Sequence, residues 1–487
     1  MKLSNETLDQ MPSSVSVPNY DRSKLTAGII HIGLGNFHRG HQAWYLHRLM
    51  QQGKARDWAI LGAGVRHNDA AMRERLLAQD CLTTLIELDP QKTSIEITGS
   101  MIDFLPVEEN NAALIKAMSA PAIRIVAMTV TEGGYYRNVD GTLNTTHPDI
   151  VHDAANPASP RTAFGAMVAA YGARRAANVG PFTGLCCDNL QHNGDVLRQT
   201  VVDLAMLSDP DLAQWITQNA SFPNSMVDCI VPATGPNEIA QVKSLGIDDA
   251  APVTHEAFRQ WVIEDKFCAG RPPWEDVGAT LTDNVAPYET MKIRMLNAGH
   301  QVLANAGELL GVPTIAACMA DPEISGFFRR VEEYEIAPYV APVPGMKPVD
   351  YLDLISERFA NPKIHDTTRR VAFDGSSRHP GFVLPILKDA LQAEGSIDGL
   401  ALTEALWARM CAGLRDDETE IEPNDPDWPA LNEAALIART DPSRWLAQHA
   451  IYGTHGAEPR FAEKFAGWLD LLWQQGTRAT LRQFMGS

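Results

Sequence analysis

Ala27-Gly-Ile-Ile-His-Ile32-Gly33-Leu-Gly35-Asn-Phe37-His-Arg39-Gly40-His41 is the stretch that decides the fold of this 487-residue chain. An apolar run feeds two closely spaced glycines, and a helix-like segment follows from Gln42 to Met50. Strand, tight turn and helix in that order is what a dinucleotide site needs. Gly33 permits the turn, and Gly35 lets the backbone approach a pyrophosphate at a helix N-terminus, where free N–H groups favour an anion. The third glycine of the usual fingerprint is absent, because His38 stands in its place. Arg39 offers a charge-assisted contact to a phosphate in partial compensation.

Working outward, Trp58-Ala-Ile-Leu-Gly62-Ala-Gly-Val-Arg66-His-Asn68-Asp69 reads as a second strand followed by a carboxylate. Asp69 would hold the adenosine ribose and repel a 2′-phosphate, which favours NAD over NADP. It also opens the helical pattern Ala70 to Ala78, so it could equally be that helix's cap. Arg66 and uncharged Asn68 leave NADP open. Gly33, Gly35, Phe37, Arg39 and Asp69 are thus the candidate cofactor contacts. Further apolar runs, Ile123 to Val130 and Phe182 to Cys187, each end in polar or glycine residues, as expected at the carboxyl edge of an open α/β sheet. Arg161 to Ala177 reads as an intervening helix, and residues 1 to 25 as a polar arm laid over the surface.

From Pro287 onward the texture changes to helical periodicity, as in Val302 to Leu310, Tyr351 to Phe359 and Leu402 to Leu414. The expected architecture is α/β: a Rossmann-like NAD-binding domain over 1–285, arm included, then a mostly α-helical substrate domain over 286–487. Two proline-bearing connectors, Ala337 to Pro348 and Asp416 to Pro429, interrupt the helical part.

The second informative stretch opens that helical part: Tyr288-Glu-Thr-Met-Lys292-Ile-Arg-Met-Leu-Asn297-Ala-Gly-His300. On one helix at about 100° per residue, Asn297 lies about 140° and His300 about 80° around the axis from Lys292, so base, amide and imidazole share one side. Ala298 and Gly299 leave room for something to approach closely. A lysine abstracts a proton only as the neutral amine, a form that desolvation and a positive nicotinamide would favour. Tyr288-x-x-x-Lys292 has the short-chain dehydrogenase spacing, but a second copy, Tyr20-x-x-x-Lys24, precedes the glycine turn and shows how cheaply it arises. His38, His41 and Cys81 form no evident zinc ligand set, so no metal is expected.

Composition bounds the rest. Sixty acidic against 41 basic side chains, net −19, argue against nucleic acid or an anionic membrane surface as partners. No run of 18 apolar residues appears, and the start of the chain lacks a signal-like stretch, so a cytoplasmic protein is expected. Seven cysteines without Cys-x-x-Cys spacing suit a reducing compartment.

Several motifs in one order carry a resemblance. Gly33-Leu-Gly35-Asn-Phe-His-Arg39-Gly-His41, Thr129-Val-Thr-Glu132-Gly-Gly, Cys187-Asp188-Asn189-Leu-Gln-His192-Asn193-Gly194 and Phe222-Pro-Asn-Ser-Met-Val-Asp228 lie in the first part. Trp261-Val-Ile-Glu-Asp265-Lys-Phe, Gly270-Arg271-Pro, Lys292 to His300 and Asp374-Gly-Ser-Ser377-Arg378 follow. Through them the chain resembles the polyol-specific long-chain dehydrogenases, nearly end to end. The resemblance implies a metal-independent site in the cleft between the two domains. Lys292 matches the base, Asn189 and Asn297 the pair holding the reacting oxygen, and His300 and Asp228 substrate-orienting positions. Arg370 and Arg378 fall where the remaining hydroxyls are held; position 378 is lysine in some relatives, so its donor geometry differs here. The implied reaction is NAD-dependent interconversion of D-mannitol and D-fructose. Reduction of a sugar acid (D-fructuronate to D-mannonate), arabinitol or sorbitol oxidation, and a non-catalytic NAD-binding role are the alternatives. The resemblance leans towards a monomer.

Overall fold

The structure is a computed structural model that describes residues 1–138 and 140–486, with the backbone alone at position 132. It divides into two compact units, Met1–Ala286 and Pro287–Ser487.

At the centre of the first unit is a five-stranded sheet in the order Met101–Phe104, Ala59–Ala63, Ala27–Ile32, Ile125–Met128, Thr183–Cys186. All four pairings are parallel. Numbered along the chain the order is 3-2-1-4-5, so the direction of winding reverses between Ala27–Ile32 and Ile125–Met128, the place where an open sheet leaves a ligand crevice. The inner strands Ala27–Ile32 and Ile125–Met128 are mostly apolar because both faces are covered. Ile29 and Ile125 face one core with Trp261 and Trp274, while Ile30 and Val126 face another with Phe164 and Tyr171.

Two smaller sheets complete the unit. One contains Ser225–Asp228 antiparallel to Gln260–Glu264, which in turn pairs in parallel with Thr280–Thr282. The other holds Val15–Ser16, Thr93–Thr98, Thr83–Leu88 and Val253–His255. The N-terminal arm therefore does more than lie on the surface: Val15 registers with Ile95 as an edge strand, and Leu3 and Val15 enter a small apolar core.

The second unit is helical. Asp398–Cys411 is almost wholly buried and packs along the long C-terminal helix Pro459–Gly486, which is kinked at Gly476 (φ 79°). Three segments, Lys292–Asn297, Glu332–Ile336 and His379–Val383, are π-helical, and the first packs against the other two.

Candidate active site

In the first unit, the glycine turn sits at the switch point. Gly33 has φ +90°, and a Cβ built on it would stand 2.1 Å from the Thr129 carbonyl oxygen. Glycine is required twice over, by the backbone conformation and by the approach of the neighbouring strand. The Thr129 hydroxyl donates back to the Gly33 carbonyl at 2.7 Å, which ties the two strand ends together. Gly35 is different: its φ of −67° suits any residue, and a Cβ there meets nothing within 4 Å. Open space against bare backbone is what a pyrophosphate needs, so this turn fits a dinucleotide.

The missing third glycine has a physical substitute. That glycine normally lets helix and strand pack closely; here the His38 ring stacks at 3.5 Å on His31 of the strand. Both rings are buried, and burial pushes His38 down to about 3. Helix Asn36–Gly40 breaks at His41, and Gln42–Gln51 follows. Phe37 is half-buried and stacks on His41.

Arg39 departs from expectation. It is 1% exposed, and its guanidinium donates to Asn36 Oδ1 and to the Ala251 carbonyl. Its guanidinium braces the turn from within the core, through Asn36 and Ala251, rather than facing a phosphate. Asn36 in turn donates to Pro232 O (2.9 Å) and Thr234 Oγ1 (2.8 Å), anchoring that loop to the turn. Asp69 opens helix Asp69–Leu77, and its Oδ2 accepts the Arg66 backbone N–H at 2.9 Å. The N-cap position belongs to Asn68, whose side chain makes no capping bond, so Asp69 steadies the loop that precedes the helix rather than capping it.

Asn189 is exposed in the turn after Thr183–Cys186. The residue before it does the holding. Asp188 accepts the backbone N–H groups of Val130 (3.1 Å) and Thr131 (2.9 Å) and the Tyr135 hydroxyl (2.7 Å). Thr131 has φ 69° and ψ 160°, a conformation that persists only when its surroundings over-determine it, and Asp188 supplies that constraint. Burial raises the Asp188 carboxyl, and the hydrogen bonds oppose the rise. Asn193 Nδ2 donates to Asp188 O and Ser225 O, so the Asn189 turn is braced from below as well. Asp228 is buried at the end of Ser225–Asp228. The Glu132 side chain, which could have ended its strand or lined a proton path, lies outside the described residues.

In the second unit the expected single helix carries a π-turn. Ala286–Met291 is α-helical, Lys292–Asn297 is π, and Ala298–Leu309 is α again. The Ala298 N–H reaches the Ile293 carbonyl, five residues back. In such a ladder the hydrogen bond spans five residues instead of four and each residue turns less about the axis, so Lys292 and Asn297 are closer in angle than α-helical spacing allows. His300 follows within one α-turn of Asn297. Lys292 is 8% exposed.

His300 is half-buried, and its ring stacks on Phe359 at 4.1 Å. Its Nε2 is enclosed and has no hydrogen-bond partner. Burial pushes His300 down to about 4; Asp366 opposes, while Arg370, Arg358 and Arg378 push the same way. The imidazole is therefore neutral at pH 7, and Arg370 and Arg378 are close enough to act on it. Arg370 is clamped by Asp366 through two contacts of 2.6 Å, and Arg378 donates to Val371 O at 2.6 Å.

The room at Gly299 is taken by the protein itself. A Cβ there would meet Glu332 Oε1 at 2.5 Å and Phe328 Cε2 at 2.8 Å. Glu332 is 0% exposed, neither carboxyl oxygen has a hydrogen-bond partner, and burial holds its carboxyl well above the usual range. A signal for it existed. Phe328, Val331, Glu332, Glu335 and Ile336 form one helical stripe, in which two acids interrupt apolar positions. Glu335 is satisfied, accepting from Ser396 Oγ, Gly399 N and Leu400 N at the start of Asp398–Cys411.

A second buried group was missed too. His379 Nδ1 lies 2.7 Å from Glu404 Oε1, Tyr452 OH donates to Glu404 Oε2 at 2.8 Å, and Asn305 Nδ2 lies 3.2 Å from His379 Nε2. This chain pins the residue after Arg378 to helix Ala298–Leu309, the helix that begins beside Asn297. Among the described residues, no group of three or more His, Cys, Asp or Glu side chains is gathered as a metal cluster, and no helix is long and apolar enough to cross a membrane.

A doubly wound sheet with a glycine turn at its switch point, joined to a helical unit bearing lysine, amide and neutral imidazole on two turns, defines a nucleotide-dependent dehydrogenase. Comparison with known proteins makes this specific. The profile "Mannitol dehydrogenase Rossmann domain" matches residues 27–276, and "Mannitol dehydrogenase C-terminal domain" matches residues 284–473. The chain is 53% identical to mannitol 2-dehydrogenase of Cereibacter sphaeroides over 477 residues, covering 98% of this chain and 100% of that one. It is 38% identical to mannitol 2-dehydrogenase of Phaeosphaeria nodorum, covering 99% and 86%. The structure is similar to that of Pseudomonas fluorescens mannitol 2-dehydrogenase in ternary complex with NAD and D-mannitol (TM-score 0.89, 39% identity, all of both chains). It is also similar to D-sorbitol dehydrogenase in substrate-free form (TM-score 0.90, 33% identity, 98% and 100% covered). The chain belongs to the mannitol dehydrogenase family.

Proposed function

We propose that this protein is an NAD-dependent mannitol 2-dehydrogenase that interconverts D-mannitol and D-fructose. The observation that carries the reading is the π-helical segment Lys292–Asn297, which narrows the angle between Lys292 and Asn297 and is followed by a neutral imidazole with a buried, unpartnered Nε2. Full-length similarity to mannitol 2-dehydrogenases, one of them solved with NAD and D-mannitol, supports it.

NAD, when bound, accepts the hydride that leaves C2 of the polyol. Lys292 Nζ, as the neutral amine, takes the O2 proton, so the alcohol loses one hydride and one proton and becomes the ketone. Asn189 and Asn297 donate amide N–H groups to the developing alkoxide, each about 3 to 4 kcal/mol by analogy with other oxyanion holes. His300 Nε2 serves a neighbouring hydroxyl, and Asp228, Arg370 and Arg378 hold the remainder. Gly33 and Gly35 admit the pyrophosphate beside Phe37, and the Asp69 carboxylate at the second strand's end favours NAD.

The test is NADH or NADPH formation with D-mannitol, D-arabinitol, D-sorbitol and D-mannonate, each with NAD and NADP. Preference for mannitol with NAD is expected. Preference for mannonate moves the protein to sugar-acid chemistry, and turnover of none of the four refutes the reading. We extend it to a monomer of the cytoplasm, which seven free thiols suit; elution at twice the chain mass in size-exclusion chromatography contradicts the monomer.

A further inference from the structure

Two hydrogen-bonded ties join the segment that carries Arg378 to the helix that carries His300. The first runs through a carbonyl. Val371 O, near the end of helix Thr368–Ala372, accepts from Arg378 Nη1 at 2.6 Å and from Gln301 Nε2 at 3.2 Å, and Gln301 is the residue after His300. The second runs through a ring. Asn305, one turn beyond Gln301 on Ala298–Leu309, places its Nδ2 3.2 Å from Nε2 of His379, the residue after Arg378.

The His379 ring is itself held from behind. Asn305 Nδ2 also donates to the Gln301 carbonyl (3.3 Å), so the amide nitrogen faces the ring and His379 Nε2 accepts. The ring proton is then on Nδ1, which donates to Glu404 Oε1 at 2.7 Å. Glu404 Oε2 accepts from the Tyr452 hydroxyl at 2.8 Å, and the Tyr452 oxygen accepts from Trp445 Nε1 at 2.6 Å. Trp407 stacks on the ring at 4.1 Å with the two planes 11° apart. Asn305, His379 and Glu404 are each 0% exposed, and in such an interior hydrogen bonds are strong and hard to exchange. The two amides are committed to the ties: Gln301 Oε1 and Asn305 Oδ1 are buried without a protein partner. Apolar residues at those two places on a buried helix would leave no bare acceptor.

We propose that His379 is a positioning residue for polyol recognition: its ring, held by Glu404 and tied to Asn305, keeps Arg378 in register with His300. The register fixes the span between the hydroxyl that His300 serves and those that Arg378 holds, so it bears on which polyol fits. This deepens the proposed function and rests on its placing of His300 and Arg378 against the polyol. A misplacement of about 1 Å can cost up to about 100-fold in rate. Lys292 and Asn297 are not part of either tie, so the loss falls on KM rather than kcat.

The experiment is a double-mutant cycle of H379L with R378Q, read as KM and kcat for D-mannitol, or for whichever substrate of the panel above the wild type oxidises, with Tm recorded for each protein. H379L is expected to raise that KM about tenfold while kcat stays within about twofold, and to leave KM for NAD unaltered. In the R378Q background the same change should raise KM by less than about twofold, because the contact through which it acts has gone. H379Q, whose amide oxygen can still accept from Asn305, should recover most of the lost affinity. Where H379L fails to fold, N305L cuts the tie at its other end, leaves the His379–Glu404–Tyr452 chain in place, and enters the same cycle with the same expected result. An equal rise in KM in both backgrounds, or a lowered Tm with KM unaltered, gives the ring a structural part only and overturns the proposal. A wild type that oxidises nothing on the panel refutes the proposed function, whereas one that oxidises mannitol with an additive cycle refutes this inference alone.

Discussion

Replacing Gly33 and Gly35 in turn by alanine separates what the glycine turn does for the fold from what it does for the cofactor. At Gly33 the added methyl would sit 2.1 Å from the Thr129 carbonyl oxygen, on a backbone with φ +90°. The left-handed conformation costs about 1–2 kcal/mol for an L-residue, and relieving the clash by parting two central strands adds about 1–3 kcal/mol. Gly33→Ala is therefore expected to lose roughly 2–5 kcal/mol of stability. At Gly35 no atom lies within 4 Å of the new methyl and φ is −67°. Gly35→Ala should leave stability unchanged or raise it by about 0.4–1 kcal/mol through the unfolded chain. Its effect falls on NAD instead. A methyl where the pyrophosphate meets the backbone is an overpacking of about 1–3 kcal/mol, or roughly 5- to 150-fold in Kd. Urea denaturation gives the stabilities, and fluorescence titration with NADH gives the affinities. A Gly35→Ala protein that binds NADH normally would refute the assignment of this turn, as would a Gly33→Ala protein of unchanged stability.

Acid should destabilise the first unit. Burial holds His38 and His255 down to about 3, so both are neutral in the fold, whereas the unfolded chain takes up their protons from pH ~6.5 downward. Their contribution is complete above that pH and is lost as pH falls from 6.5 towards 3. At pH 5 each has lost about 2 kcal/mol; urea midpoints at pH 7, 6 and 5 measure this, and equal midpoints contradict it. Glu332→Met removes a buried carboxyl without partners and should stabilise the second unit by about 1–3 kcal/mol, seen as a raised Tm. A lowered Tm means that the carboxyl makes a contact the fold depends on.

Much of this was legible in the sequence, for identifiable reasons. The parallel sheet declared itself because strands covered on both faces are apolar, as Ile125–Met128 is, and because Gly33 answers to a positive φ. Asp69 was readable as ribose ligand or cap, and its hydrogen bond from the Arg66 N–H, upstream of the helix, is not a cap. What stayed hidden depends on tertiary context. Periodicity assumes 3.6 residues per turn, so the π-turn that narrows the angle between Lys292 and Asn297 could not be read from spacing. Arg39 looked available because a charged side chain is usually exposed, yet Asn36 and the Ala251 carbonyl, 212 residues on, hold it in the core. Gly299 suggested space for a ligand, and the neighbour turned out to be Glu332, thirty-three residues away in sequence. His379 and Glu404 each look ordinary; only folding puts them 2.7 Å apart.

The most direct test of the account is turnover of D-mannitol by Lys292→Ala beside Tyr288→Phe, with NADH binding measured on both. Loss of about 10²- to 10⁴-fold in kcat for Lys292→Ala, with NADH bound normally and Tyr288→Phe retaining most turnover, is the result predicted. Near-normal kcat in Lys292→Ala, or loss confined to Tyr288→Phe, would contradict it.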